Sequence, residues 1–139
     1  MRFVDSNVFV HALLKPRRGL KMHEAEIKEG AKNMLTRIEE GEEAMTTVVH
    51  VSEVANILES RMTRDGSWRI ISALASMRGL SVAGVSGDDY RSAIQASKIL
   101  GVGVNDALAY AVMKEASVEE IYSFDKHFDQ LPEIRRVTG

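Results

Sequence analysis

Asp5, Glu53, Asp106 and Asp125 each interrupt or border an apolar run of this 139-residue chain. Asp5 closes Arg2-Phe3-Val4, and Asp125 follows Ile121-Tyr122-Ser123-Phe124. Asp106 opens the nearly apolar stretch from Ala107 to Met113, and Glu53 lies within the run from Val48 to Ala55. A carboxylate pressed against a core is costly unless something positive sits beside it. Two carboxylates about 5 Å apart repel by roughly 3 kcal/mol at an effective dielectric near 20. If the four converge, a divalent cation is the natural counter-charge, and the expected chemistry is that of a metal-dependent enzyme. Each acid also has a plain structural use. Asp106 and Asp125 suit helix starts, Asp5 a turn, and Glu53 a solvated helix position.

Composition narrows the chemistry further. The absence of cysteine removes disulfides, thiolate zinc sites and a cysteine nucleophile together, leaving hard oxygen ligands. A net charge of −2, from 18 basic and 20 acidic side chains, excludes a basic nucleic-acid coat. With the four acids set aside a slight basic excess remains, which would tolerate a polyanion around a metal-neutralised centre. The histidines show no metal-ligand spacing. His11 and His50 read as packed or edge residues, and His127 as a bystander near the last acid. Gly101-Val102-Gly103 lacks the third glycine of a dinucleotide loop and reads as a turn. Nothing approaches the ~20 apolar residues of a membrane span, and Asp5 breaks any secretory leader. A cytoplasmic protein without membrane contact is expected.

The elements that must position the acids follow from the same residues. Residues 2–4 read as a buried strand, and Ser6 or Asn7 caps a helix through Leu14, stopped by Pro16. Over 22–40, Ile27, Ala31, Met34, Leu35 and Ile38 keep helical spacing, with Gly41 suited to the C-terminal cap. Residues 44–47 read as a second strand, followed by a helix over about 48–63. Asp65-Gly66 breaks that helix, and Ser67 caps the next, turning Trp68, Ile71, Leu74 and Ala75 inward. Residues 80–83 make a third strand, and Ser86 with Asp89 forms a capping box for a helix to about Leu100. Asn105 caps a helix from Asp106, and 121–123 is the fourth strand. Residues 125–128 make one helical turn, and 136–137 a last edge strand. Short apolar strands alternating with helices predict an α/β fold, a three-layer α/β/α sandwich with a mainly parallel central sheet. With no repeat and no linker, residues 1–139 are expected to form one domain. Ligands of such sheets bind outside the carboxyl ends of the strands, where Asp5 and Asp125 fall.

Phe3-Val4-Asp5-Ser6-Asn7-Val8 resembles the opening motif of PIN domains: an apolar strand, Asp, Ser or Thr, then Asn. Val51-Ser52-Glu53-Val54 is similar to that family's helical Glu motif. Asn105-Asp106-Ala107-Leu108 before an alanine-rich helix resembles its third acidic motif, and the segment from Ile121 to Phe128 its last. Order, spacing and length agree, so the resemblance covers nearly the whole chain. Within the family the likeness is to the small toxin ribonucleases of VapBC-type pairs. It implies Mg²⁺- or Mn²⁺-dependent cleavage of single-stranded RNA, leaving a 5′-phosphate and a 3′-hydroxyl. Asp5, Glu53, Asp106 and Asp125 would be the catalytic, metal-binding residues. Asp5 and Asp106 would bind directly, Asp125 directly or through water, and Glu53 through water or by positioning the attacking water. Asn7 and Ser123 would orient carboxylates or touch phosphate. Lys15, Arg17, Arg18 and Lys126 are the expected substrate contacts. The resemblance also implies a small antitoxin partner and a homodimer, with apolar surface around Trp68 available to either. Two departures stand out: the helix over 22–40 is longer than a minimal toxin needs, and Asp129 is a second acid near the last motif. Asp125 fits that motif better, because it directly follows Ser123-Phe124.

Two other functions compete for the same residues. A catalytically silent PIN-like RNA-binding or scaffold protein is disfavoured by the presence of all four acids. A receiver-like phosphotransfer domain needs adjacent acids after the first strand and a central acceptor Asp, and this chain has neither.

Overall fold

Strands β1 (Arg2–Val4), β2 (Ala44–Thr47), β3 (Leu80–Ala83), β4 (Glu120–Tyr122) and β5 (Arg135–Val137) pair in parallel throughout, in the order β3-β2-β1-β4-β5. The structure is a computed structural model that describes residues 1–16 and 18–139; Arg17, one of the expected substrate contacts, lies outside the described residues. Alternation along the strands sends Phe3, Met45 and Ile121 to one face and Val4, Ala44 and Tyr122 to the other. Parallel neighbours require crossovers, and here every crossover is helical. Helices α1 (Ser6–Leu13), α2 (Met22–Glu39), α3 (Val48–Arg61) and α4 (Arg64–Ala75) cover the Val4 face. Helices α5 (Gly87–Leu100) and α6 (Val104–Glu115), with a 3-10 helix (Lys126–Gln130), cover the Phe3 face. The result is the expected three-layer sandwich.

Connections from β1 run to β2 on one side, whereas β4 is added on the other side of β1. The reversal opens a crevice at the carboxyl ends of β1 and β4, the position at which open α/β sheets receive ligands. At the opposite end of the sheet the chain crosses itself closely. A Cβ on Gly79 would lie 2.1 Å from the Glu42 carbonyl oxygen and 2.5 Å from that of Ile38, so only glycine lets 79 pass.

Three expected helix starts are displaced. Thr63, not Ser67, caps α4, its hydroxyl accepting from the Gly66 N–H at 3.1 Å. Ser67 is instead buried inside α4 and donates to the Arg64 carbonyl. The inward stripe then runs Ser67, Ile70, Ile71, Leu74, which leaves Trp68 rotated outward and 60% exposed. Helix α6 begins two residues early, with Gly103 at its cap, and Asn105 Oδ1 accepts from the Tyr90 hydroxyl at 2.7 Å, joining α5 to α6. Asp5 holds the residue before α1, in place of Ser6 or Asn7, and makes no side-chain cap. Its carboxylate is engaged elsewhere.

Candidate metal centre

Asp5 ends β1, and its backbone N–H still donates to the Tyr122 carbonyl at 3.0 Å, which aims the side chain into the crevice between β1 and β4. The residue is only 5% exposed. Ser123, just past β4, donates its hydroxyl proton to Asp5 Oδ2 at 2.7 Å and accepts from the Asp125 N–H at 3.0 Å. One buried hydroxyl thus ties the first acid to the last across the strand pair. The Ser6 hydroxyl donates to Glu53 Oε1 at 2.9 Å and lies 3.5 Å from Asp5 Oδ1. Its single proton serves one carboxylate at a time. Asn7 Oδ1 accepts from the Phe124 N–H at 3.4 Å, so the first turn of α1 also holds the loop that carries Asp125.

Glu53 reaches the site from the second turn of α3, whose start is fixed by Thr47 accepting from the His50 N–H at 3.2 Å. His50 is buried beneath it, edge-on to Phe3, with Nδ1 2.7 Å from the Thr47 hydroxyl. Asp106 stands half-buried in the first turn of α6, where the helix dipole favours negative charge. Asp125 caps the 3-10 helix, accepting from the His127 N–H at 2.9 Å, and the His127 ring follows it with Nδ1 3.1 Å from Asp125 Oδ1.

The four acids form one electrostatic unit. Burial pushes the Asp5 carboxyl up to about 7; the Ser123 hydrogen bond opposes the rise, and the charges of Asp106 and Glu53 add to it. Burial also raises Asp106, reinforced by the charges of Asp125 and Glu53 and partly offset by His127. His50 is lowered by burial, against the pull of Glu53. Arg136 acts on the cluster only through space, its charge being felt by Asp125. It makes a two-point pair with Asp129, at 2.9 and 3.1 Å, and places Nη1 3.4 Å from the Ser123 carbonyl oxygen. The second acid near the last motif is therefore engaged away from the crevice. A partly buried carboxylate cluster to which no lysine or arginine is paired among the described residues is a poor resting state for protein alone and a good one for a hard divalent ion. Asp106, Asp125 and His127 also offer ligand atoms that all lie within 4.8 Å of one another. The donor set fits such an ion.

The basic residues divide. Lys126 is exposed beside Asp125 at the rim of the crevice. Lys15 and Arg18 line a cleft of about 610 Å³ with His11, Lys28 and Arg61, beyond the far end of α1. That helix is about 12 Å long, so these cations are not on the acids. Arg18 pairs with Glu24 at 3.1 Å, and Lys28 caps α1 by donating to the carbonyls of His11 and Leu14, both at 2.9 Å. Sequence reasoning missed Ser6 as a bridge, treated His127 as a bystander and did not find Arg136. Ser6 was findable, since it adjoins Asp5. Arg136 was not, because its place depends on β5 lying beside β4.

The sequence matches the PIN domain family over residues 2–134. No curated protein matches the chain. Among solved structures, the sarcin-ricin loop cleaving toxin VapC20 of Mycobacterium tuberculosis is 19% identical, with a TM-score of 0.68 over 97% of this chain and 99% of its own. VapBC2 of Rickettsia felis, solved bound to a promoter DNA fragment, gives 13% identity and a TM-score of 0.67, covering 98% and 96%. A toxin-antitoxin complex from Klebsiella pneumoniae gives 12% and 0.65, covering 97% and 96%. At these identities the likeness is one of fold.

Proposed function

The chain belongs to the PIN-domain family, and on that premise we propose that it is a metal-dependent endoribonuclease, the toxin of a toxin-antitoxin pair, acting on single-stranded RNA. The observation that carries this reading is the convergence of Asp5, Glu53, Asp106 and Asp125 from four separate segments on one crevice, with Asp5 buried and its carboxyl raised to about 7. Mg²⁺ or Mn²⁺ would be held by Asp5, Asp106 and Asp125, with Glu53 beside them. When bound, the ion supplies an acidified water and neutralises charge at the scissile phosphate. The protein's own part is positioning. Ser123 fixes the Asp5 carboxylate, Asn7 and the Asp125 cap hold the loop after β4, and Glu53 is the carboxylate placed to orient the attacking water. Lys126 meets a phosphate at the rim, and Lys15 and Arg18 meet the backbone further along α1.

Residues 1–139 act as one nuclease unit on this reading. The structural neighbours that are toxin-antitoxin complexes support a small protein antitoxin, and the exposed Trp68 supports a face for that partner or a second copy. An RNA substrate places the protein in the cytoplasm; among the described residues no helix is long and apolar enough to cross a membrane. The test is Asp106→Asn assayed on a mixed single-stranded RNA pool with Mn²⁺. The wild type should cleave and lose activity in EDTA, and the variant should be inactive with an unchanged circular dichroism spectrum. Cleavage by the folded variant would remove Asp106 from the site, and RNA binding without cleavage by the wild type would favour the silent alternative.

A further inference from the structure

We propose that His127 is a nitrogen ligand of the cation, and that it shifts the site's preference away from Mg²⁺ toward later divalent transition metals. This rests on the metal-dependent reading above. Ligand atoms of Asp106, Asp125 and His127 all lie within 4.8 Å of one another. In an octahedron with bonds of about 2.1 Å, neighbouring ligands are about 3.0 Å apart and opposite ones about 4.2 Å. The separation of His127 Nδ1 from Asp125 Oδ1, 3.1 Å, is that of two neighbours on one ion. The 4.8 Å limit on the triad is within about 0.6 Å of the separation of opposite ligands.

Local structure holds the imidazole there. Asp125 caps the 3-10 helix by accepting from the His127 N–H, so the turn that orients the carboxylate also sets the ring beside it. The side chain is 64% exposed, so an ion can reach it from solvent. A simple Asp–His pair predicts that removing the ring changes no ion's affinity selectively. The two readings separate because carboxylate oxygens alone follow a shallow rise from Mn²⁺ to Ni²⁺, whereas an imidazole ligand steepens it and adds little for Mg²⁺.

The experiment is titration calorimetry of the wild type, His127→Ala and Asp106→Asn with Mg²⁺, Mn²⁺ and Co²⁺ separately, together with electron spin-echo spectroscopy of bound Mn²⁺. Loss of one ligand should weaken Co²⁺ binding to His127→Ala by about tenfold or more and Mg²⁺ binding by less than about threefold. The spin-echo spectrum should show imidazole nitrogen coupling in the wild type and none in His127→Ala. Equal weakening for all three ions, no weakening, or no nitrogen coupling would overturn the assignment. If ions bind and Asp106→Asn abolishes binding while His127→Ala leaves it intact, His127 alone is removed. If no ion binds the wild type, the metal reading falls with it.

Discussion

Asp5→Asn should flatten the dependence of the metal-free protein's stability on pH. Asp5 is buried, and burial with the charges of Asp106 and Glu53 outweighs the Ser123 hydrogen bond to lift its carboxyl from 3.8 to about 7. Between pH 4 and 7 the folded protein therefore holds a proton that the unfolded chain has released. Stability falls as pH rises through that window, and the group contributes no slope below or above it. From pH 5 to pH 8 the excess covers about two pH units, which amounts to about 3 kcal/mol. Asparagine has no proton to lose. The stability difference between variant and wild type should accordingly move by about 3 kcal/mol in the variant's favour over that range. Urea unfolding in EDTA at pH 5 and pH 8, extrapolated linearly, measures it. Titrating groups remote from the crevice are common to both proteins and cancel in the comparison, whereas Asp106 and Glu53, coupled to Asp5, titrate more easily in the variant. Two parallel pH profiles would refute the reasoning, for they would mean that Asp5 is ionised in the fold at pH 5 and that nothing needs to neutralise it. At pH 8 adding Mn²⁺ should shift the difference back toward the wild type, which at 100 times its Kd gains about 2.7 kcal/mol while the variant gains less.

Two further substitutions probe the frame and the loop. Gly79→Ala sets a Cβ against two backbone carbonyls that cannot yield, and should lower stability by about 1–3 kcal/mol with an unchanged urea m-value; a neutral result would mean that the 38–44 turn moves freely. Arg136→Met removes the two-point pair with Asp129 and the contact to the Ser123 carbonyl, so Mn²⁺ affinity measured by calorimetry should fall by about tenfold although Arg136 touches no acid of the crevice. Unchanged affinity would show that the loop after β4 is held without it.

Strand positions were legible because each depends on its own few residues. The apolar runs at 2–4 and 80–83 and the capping box of Ser86 with Asp89 all form as the sequence implies. The expected turn at Gly101 also forms, and there Gly101 closes α5 with a left-handed φ of 69°. Where two local signals competed, reading failed. Thr63 and Ser67 could each start a helix, and the choice was settled by whether Ser67 could be buried against its neighbours. The acids were also legible singly, since each stands where an apolar residue would be cheaper.

Their convergence belongs to the tertiary structure. Strand order sets β1 beside β4, and only then does the Ser123 hydroxyl reach Asp5 across 118 positions of chain. The same pairing, continued to β5, brings Arg136 to the Ser123 carbonyl, while the turn at Asp125 brings His127 beside Asp125 and Asp106. Periodicity and caps are decided within a turn of chain, whereas charges act through space. How strongly one carboxylate acts on another depends on distance and on the water excluded between them, and neither exists until the layers pack.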